Sequence, residues 1–390
     1  MTEKLFYEDS HMITFSAVVE ACEKAGEYYE AVLNRTAFFP EGGGQAADTG
    51  VIGEVQVLDV QERHDIIYHK VTQPLTVGQQ VLGAINWEER FSNMQQHSGE
   101  HIVSGIVHAM YGYDNVGFHM GHDVITIDFN GKLTKEQLRE IEQKANEAVV
   151  ANLDVQVQYP TREELEHIKY RSKIEIEGQV RLVTVPGHDA CACCAPHVKK
   201  TGEIGIIKFV GMQNYKGGVR VSLLCGFRAL ADYEEKSEYM KQLSVMLSAP
   251  ENEVVAEVSR LQGENSDCKI LIAQLKQKLL VHRADEVACG QELVILFEKE
   301  LTGDEPRELV NLLIERGIGV GVIFFGSPKE GYRYVIGSKE YDCRPFAKAL
   351  HETFGAKGGG KPEMVQGSLL GERSKIEDVI QTCFENQKME

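Results

Sequence analysis

The sequence has no excess of basic residues, no disulfide framework and no long apolar run. Its 390 residues carry 41 Lys and Arg against 59 Asp and Glu, a formal charge of −18. That balance excludes indiscriminate polyanion binding by the whole surface and confines any nucleic-acid contact to particular faces. Nine cysteines, an odd number scattered from Cys22 to Cys383, lack the spacing of a stapled scaffold and imply thiols kept reduced in a cytoplasm. No hydrophobic stretch approaches membrane-spanning length, and the acidic start Met1-Thr2-Glu3-Lys4-Leu5-Phe6-Tyr7-Glu8-Asp9 is unlike a secretory leader. What is present, 43% hydrophobic and 26% charged residues, suffices for about two to four domains with cores of their own.

The segment Asn86 to Val107 reads as one helix, with Asn86 as N-cap, acidic residues in the following turn, and Phe91, Met94, Ile102 and Ile106 at helical spacing. It carries His97-Ser98-Gly99-Glu100-His101, so His97 and His101 lie one turn apart on one face, where both can reach one ion. Such a pair also occurs as packing or solvated residues. A second pair, Cys193 and His197, follows in His188-Asp189-Ala190-Cys191-Ala192-Cys193-Cys194-Ala195-Pro196-His197. Together they form a His3Cys set suited to a four-coordinate, borderline-soft ion such as Zn2+. Cys191 and Cys194 read as ordinary buried thiols.

Residues 1 to 88 read as mostly β, with Val51 to Val60 and Asp65 to Val71 as strand runs of a small barrel. Between strands lies Thr36-Ala37-Phe38-Phe39-Pro40-Glu41-Gly42-Gly43-Gly44-Gln45, whose three glycines permit positive φ and close backbone approach. A plain turn is the alternative.

In order and spacing, this glycine-rich stretch, His97 to His101, and Cys193-Cys194-Ala195-Pro196-His197 resemble the free-standing alanyl-tRNA editing proteins called AlaX, which are similar to the editing domain of alanyl-tRNA synthetase. Gly117 to Gly121, Ile125 to Phe129, a helix from Thr134 to Asn152, and Gly217-Gly218-Val219-Arg220-Val221 look similar too, so the likeness covers roughly residues 5 to 230. It implies zinc on His97, His101, Cys193 and His197. It also implies an aminoacyl-tRNA deacylase that clears serine, and glycine as a further substrate, from mischarged tRNA(Ala), with Thr36, Gln45 and His119 at the catalytic site and Arg220 toward tRNA. This chain has Ala195-Pro196 where the family often has Gly-Thr, and His119 where synthetase relatives tend to carry Gln. Without a synthetase core ahead of the match, it is expected to act in trans. Such a sieve is needed because an apolar alanine pocket rejects serine only about a hundredfold.

Beyond Ala229 the texture changes. Val258, Leu261, Asn265, Cys268, Ile272, Leu275 and Leu279 follow a heptad, consistent with a dimer seam or with a helical hairpin. Leu293 to Phe297 and Gly319 to Phe325 read as buried strands around a helix from Glu305 to Arg316, with another helix near Pro345 to Phe354. Gly355-Ala356-Lys357-Gly358-Gly359-Gly360-Lys361 then resembles the glycine-rich signature of the synthetase C-terminal domain, and implies a loop in which Lys357 and Lys361 meet tRNA phosphates.

The expected fold is therefore α+β and multidomain: a β-barrel over 1–88, an α/β zinc-containing editing domain over 89–229, a coiled-coil segment over 230–282, and an α/β domain over 283–390. A homodimer would form through 254–280 or the C-terminal domain. Two rivals remain open. His97 to His101 also fits the H-x-x-E-H motif of zinc metallopeptidases, with Glu100 as base, and a non-catalytic zinc or tRNA-binding module would use the same residues.

Overall fold

A computed structural model describes residues 1–121, 124–172 and 178–389. The chain is α+β and divides into two compact units, Met1–Gln242 and Leu243–Glu390. No helix among the described residues is long and apolar enough to cross a membrane.

In the first unit, six strands close a barrel in the order Thr14–Ala25, Tyr28–Leu33, Ile66–Val71, Val55–Arg63, Gly50–Ile52, Gln80–Ile85. Alternation drives it. In Thr14–Ala25, Phe15, Ala17 and Val19 point inward while their neighbours face solvent. The run Val51 to Val60, taken as one strand from sequence, is a hairpin: Gly53 at φ 62° turns the chain between two antiparallel strands.

The barrel hands over directly to the helix Trp87–Tyr111, capped by Asn86 Oδ1 accepting from Glu89 N. Near its start, Arg90 is fully buried and donates to Asp48 Oδ1 (2.9 Å) and to Ala37 O (2.7 Å), while Asp48 Oδ2 accepts from Phe39 N (2.7 Å). This ionic clamp ties the helix to the glycine-rich segment of the barrel. The four-stranded antiparallel sheet Ile207–Tyr215, Gly218–Cys225, Ile125–Phe129, Asn115–Met120 and the helix Lys135–Val150 share a second core with the long helix, built from Met94, Ile102, Ile127, Ile141 and Val221. A three-stranded sheet, Gln156–Gln158, Leu182–Val185 and Asp189–Ala192, presents the cysteine segment.

The second unit contains the helix Val254–Asp285 and a five-stranded sheet ordered Leu293–Glu298, Val320–Ser327, Gly331–Ser338, Met364–Leu369, Lys357–Lys361. The glycine run expected to form a loop is a strand instead. Lys357–Lys361 is an exposed edge strand paired antiparallel with Met364–Leu369, and strand alternation puts Lys357 and Lys361 on one face. Glycine suits this edge because a Cβ at Gly358 would meet Gln366 O at 2.3 Å. Along Val254–Asp285 the heptad positions Val258, Leu261, Ile272, Leu275 and Leu279 are exposed in the single chain.

Candidate metal centre

The long helix is buried over most of its length, and its middle is polar: Gln95, Gln96, His97, Ser98, Glu100 and His101 are all buried. So many buried polar side chains require partners, and each imidazole has one. His97 Nδ1 is 3.1 Å from Gln45 Oε1, His197 Nδ1 is 3.0 Å from Ser98 Oγ, and His101 Nδ1 faces Asp189 Oδ2 at 3.1 Å. With Nδ1 of His97 and His197 hydrogen-bonded and Nδ1 of His101 within ion-pair distance of Asp189 but not in a directed hydrogen bond, the ligand atoms turn to one point. His97 Nε2 lies 3.5 Å and His197 Nε2 3.4 Å from Cys193 Sγ, and one ligand atom from each of His97, His101, Cys193 and His197 lies within 4.8 Å of the others. A cluster of this composition could hold a metal ion, and a soft thiolate with three imidazoles of fixed tautomer suits zinc.

At Cys193 and His197 the electrostatics suit that use, and at His101 a bound metal would have to displace a proton. Burial would raise the Cys193 thiol, yet His97 and His197 beside it hold it well below its ordinary value, so the sulfur is ready as thiolate. Burial pushes His197 down to about 3. Burial also opposes charge on His101, but Asp189 and the Cys193 sulfur outweigh it and hold that imidazole well above its ordinary value. Asp189 is pinned from behind by Arg171, whose Nε and Nη2 donate to its two oxygens at 2.7 and 2.9 Å.

Glycine makes this geometry possible at two places. A Cβ at Gly105 would lie 2.2 Å from His188 O and 2.7 Å from Asp189 Cβ, so the helix reaches the Asp189 strand only because residue 105 has none. Gly43, at φ 61°, brings the glycine-rich turn over the cluster, where its missing Cβ would sit 3.2 Å from Cys194 Sγ and 3.9 Å from His97 Cε1.

Beside the cluster opens a cavity of about 770 Å³ lined by Lys4, Tyr7, His97, Tyr159, Arg181 and Cys193 among others. Of the residues expected at the site, Gln45 is brought to it, buried against His97. Thr36 is buried in the barrel instead. His69 Nδ1 donates to Ala31 O (3.1 Å), so Nε2 is an acceptor and takes the Thr36 hydroxyl proton at 2.9 Å, while Phe38 N donates to Thr36 Oγ1. His119 is not brought in: it is exposed on Asn115–Met120, where alternation turns Phe118 inward, its ring 5.2 Å from that of His97. Arg220 is committed to Asp128, donating through Nε and Nη2 at 2.6 and 2.7 Å, and stacks 3.9 Å over Tyr215. Cys191 is buried as expected, whereas Cys194 is exposed and lines the cavity. Ser98, Asp189 and Arg171 were missed; the signal for Ser98 was a run of polar residues in a helix whose apolar neighbours require burial, whereas Asp189 and Arg171 lie outside that helix and carried no local signal.

Comparison with known proteins places these features in context. Residues 2–89 match a family model described as tRNA synthetases class II (A), and residues 180–222 match the threonyl and alanyl tRNA synthetase second additional domain. Over 97% of both chains, the sequence is 27% identical to the alanyl-tRNA editing protein AlaX-L of Pyrococcus horikoshii. It is 33% identical to the alanine–tRNA ligase of Halobacterium salinarum over 86% of this chain and 38% of the ligase. For the ligase of Pyrobaculum neutrophilum the values are 30%, 98% and 44%. The chain thus spans about two fifths of these ligases and nearly all of AlaX-L, and resembles the alanyl-tRNA editing proteins from end to end.

Proposed function

We propose, from this end-to-end resemblance to alanyl-tRNA editing proteins, that the chain is an aminoacyl-tRNA deacylase acting in trans on tRNA(Ala) mischarged with serine or glycine. The observation that carries the reading is the convergence of three imidazoles and one thiolate, each imidazole oriented by its own partner, beside an open cavity. His97, His101, Cys193 and His197 would hold zinc, which supplies a Lewis acid for the ester. Four protein donors leave no obligatory open position, so the chain's own groups position the substrate. Gly43 brings backbone against the cluster, and Gln45, whose Nε2 is buried without a hydrogen-bond partner among the described residues, holds His97. For Thr36 to read the seryl hydroxyl, as the resemblance implies, a lone pair of its buried Oγ1 would have to face the substrate, since its O–H donates to His69 Nε2. The edge strand with Lys357 and Lys361 grips tRNA, Arg220, held by Asp128, contacts tRNA from the first unit, and the exposed heptads of 254–280 pair a second copy of the chain.

The peptidase reading is weaker. Glu100, its required base, is buried and accepts from Ser104 Oγ (2.6 Å) and Asn115 Nδ2 (2.5 Å), and a fourth protein ligand is foreign to such sites. The test is ester loss from seryl-, glycyl- and alanyl-tRNA(Ala). Release of serine and retention of alanine are expected; stable seryl-tRNA in the presence of zinc-loaded protein would refute the assignment.

A further inference from the structure

Arg181 is 9% exposed, yet among the described residues no carboxylate lies within ion-pair distance of it. Its Nη1 donates to Cys193 O (2.8 Å) and Ala195 O (2.9 Å), on either side of Cys194 in the ligand-bearing turn. Its Nε is buried with no acceptor among the described residues. The guanidinium lies 5.1 Å from the Tyr7 ring centroid, and both residues line the cavity beside His97, His101 and Cys193. The other cation on that wall, Lys4, is already paired with Glu62 at 2.6 Å. A guanidinium buried with no counter-charge among the described residues is costly, and a preorganised fork with an unused edge matches a phosphate or carboxylate.

We infer that Arg181 receives a nucleotide phosphate in this cavity, namely the phosphate on the 5′ side of the terminal nucleoside of an RNA acceptor end. This rests on the proposed function for its choice of anion: an ester substrate has no free carboxylate, and the nearest anion to an aminoacylated ribose is that phosphate. Tyr7, packed under Arg181, and Tyr159, 45% exposed on the same wall, give the nucleoside aromatic faces on which to stack. Arg181 thereby sets the distance between the phosphate and the ester that must reach the His3Cys cluster, and acts as a positioning residue.

The test compares binding of 5′-AMP and adenosine to the full-length, zinc-loaded protein by titration calorimetry, with Arg181→Gln and Arg181→Lys and with zinc content measured on each. Wild-type protein is expected to bind AMP roughly tenfold or more tighter than adenosine. Arg181→Gln should erase that ratio while leaving adenosine affinity and zinc content unchanged, and Arg181→Lys should restore part of it. Equal affinities on the wild type, or a ratio kept by Arg181→Gln, overturn the inference. If Arg181→Gln loses zinc through its broken carbonyl contacts, the wild-type ratio and Arg181→Lys decide. Seryl-tRNA deacylation is assayed separately: its absence beside an intact AMP preference would count against the proposed function and not against the phosphate site.

Discussion

Replacing Asp189 by Asn tests whether the groups behind the ligands matter as much as the ligands. The substitution keeps volume and one acceptor but removes a charge that serves two partners, His101 Nδ1 at 3.1 Å and the Arg171 fork at 2.7 and 2.9 Å. Toward the metal, loss of a carboxylate behind a ligating imidazole costs about 10–100-fold in affinity, or roughly 1.4–2.7 kcal/mol. Toward the fold, Arg171 keeps a largely buried charge with its carboxylate gone, worth about 3–5 kcal/mol when a buried pair is broken. The two effects separate in a chelator competition and a denaturant titration with and without zinc. The Asp189→Asn protein should show both losses, and the double change Arg171→Met/Asp189→Asn should recover stability but not zinc affinity. Unchanged zinc affinity in Asp189→Asn would show that Asp189 does not orient His101 for a metal.

Further outcomes follow from the barrel and the second unit. Thr36→Val strands the His69 acceptor and should destabilise by about 1–3 kcal/mol; if the ratio of seryl- to glycyl-tRNA hydrolysis stays unchanged while stability falls, Thr36 is structural and does not read substrate. His69 is held at about 4 by burial, below its ordinary 6.5, so the unfolded chain takes the proton first as pH falls. Its contribution is complete above about pH 6.5 and declines toward pH 4, by roughly 2–3 kcal/mol between pH 7 and 4.5. Denaturation of wild type and His69→Gln at the two pH values checks this, since the variant should lack that part of the slope. Lys357→Ala/Lys361→Ala should weaken tRNA binding and lower the salt dependence by about one to two counterions; identical salt slopes would remove the edge strand from tRNA recognition.

Much of the site was legible because its ligands come from two local patterns, an i, i+4 pair on a helix and a CxxxH turn, whose spacing constrains geometry before any tertiary contact exists. The barrel strands were legible for the same reason, since period-2 burial is written into Thr14–Ala25. Tertiary pairing was not. Asp189 meets His101 from a distant part of the sequence, and nothing local marks it. His119 stands apart from the cluster because strand alternation, not motif position, decides that Phe118 faces His97. The glycines near Lys357 read as a loop because glycine is usually a breaker; at this edge they permit close strand pairing under Tyr334, whose hydroxyl would lie 2.8 Å from a Cβ at Gly358.

The central claim is that one metal, held by two residues from the helix and two from the cysteine turn, makes the chain a deacylase. Metal content by mass spectrometry of the intact protein, paired with seryl-tRNA(Ala) hydrolysis, tests it on wild type and on His97→Ala/Cys193→Ala, which takes one ligand from each element. We expect one zinc per wild-type chain with serine release, and loss of both in the double variant. Full zinc in that variant, or undiminished hydrolysis without zinc, would contradict the account.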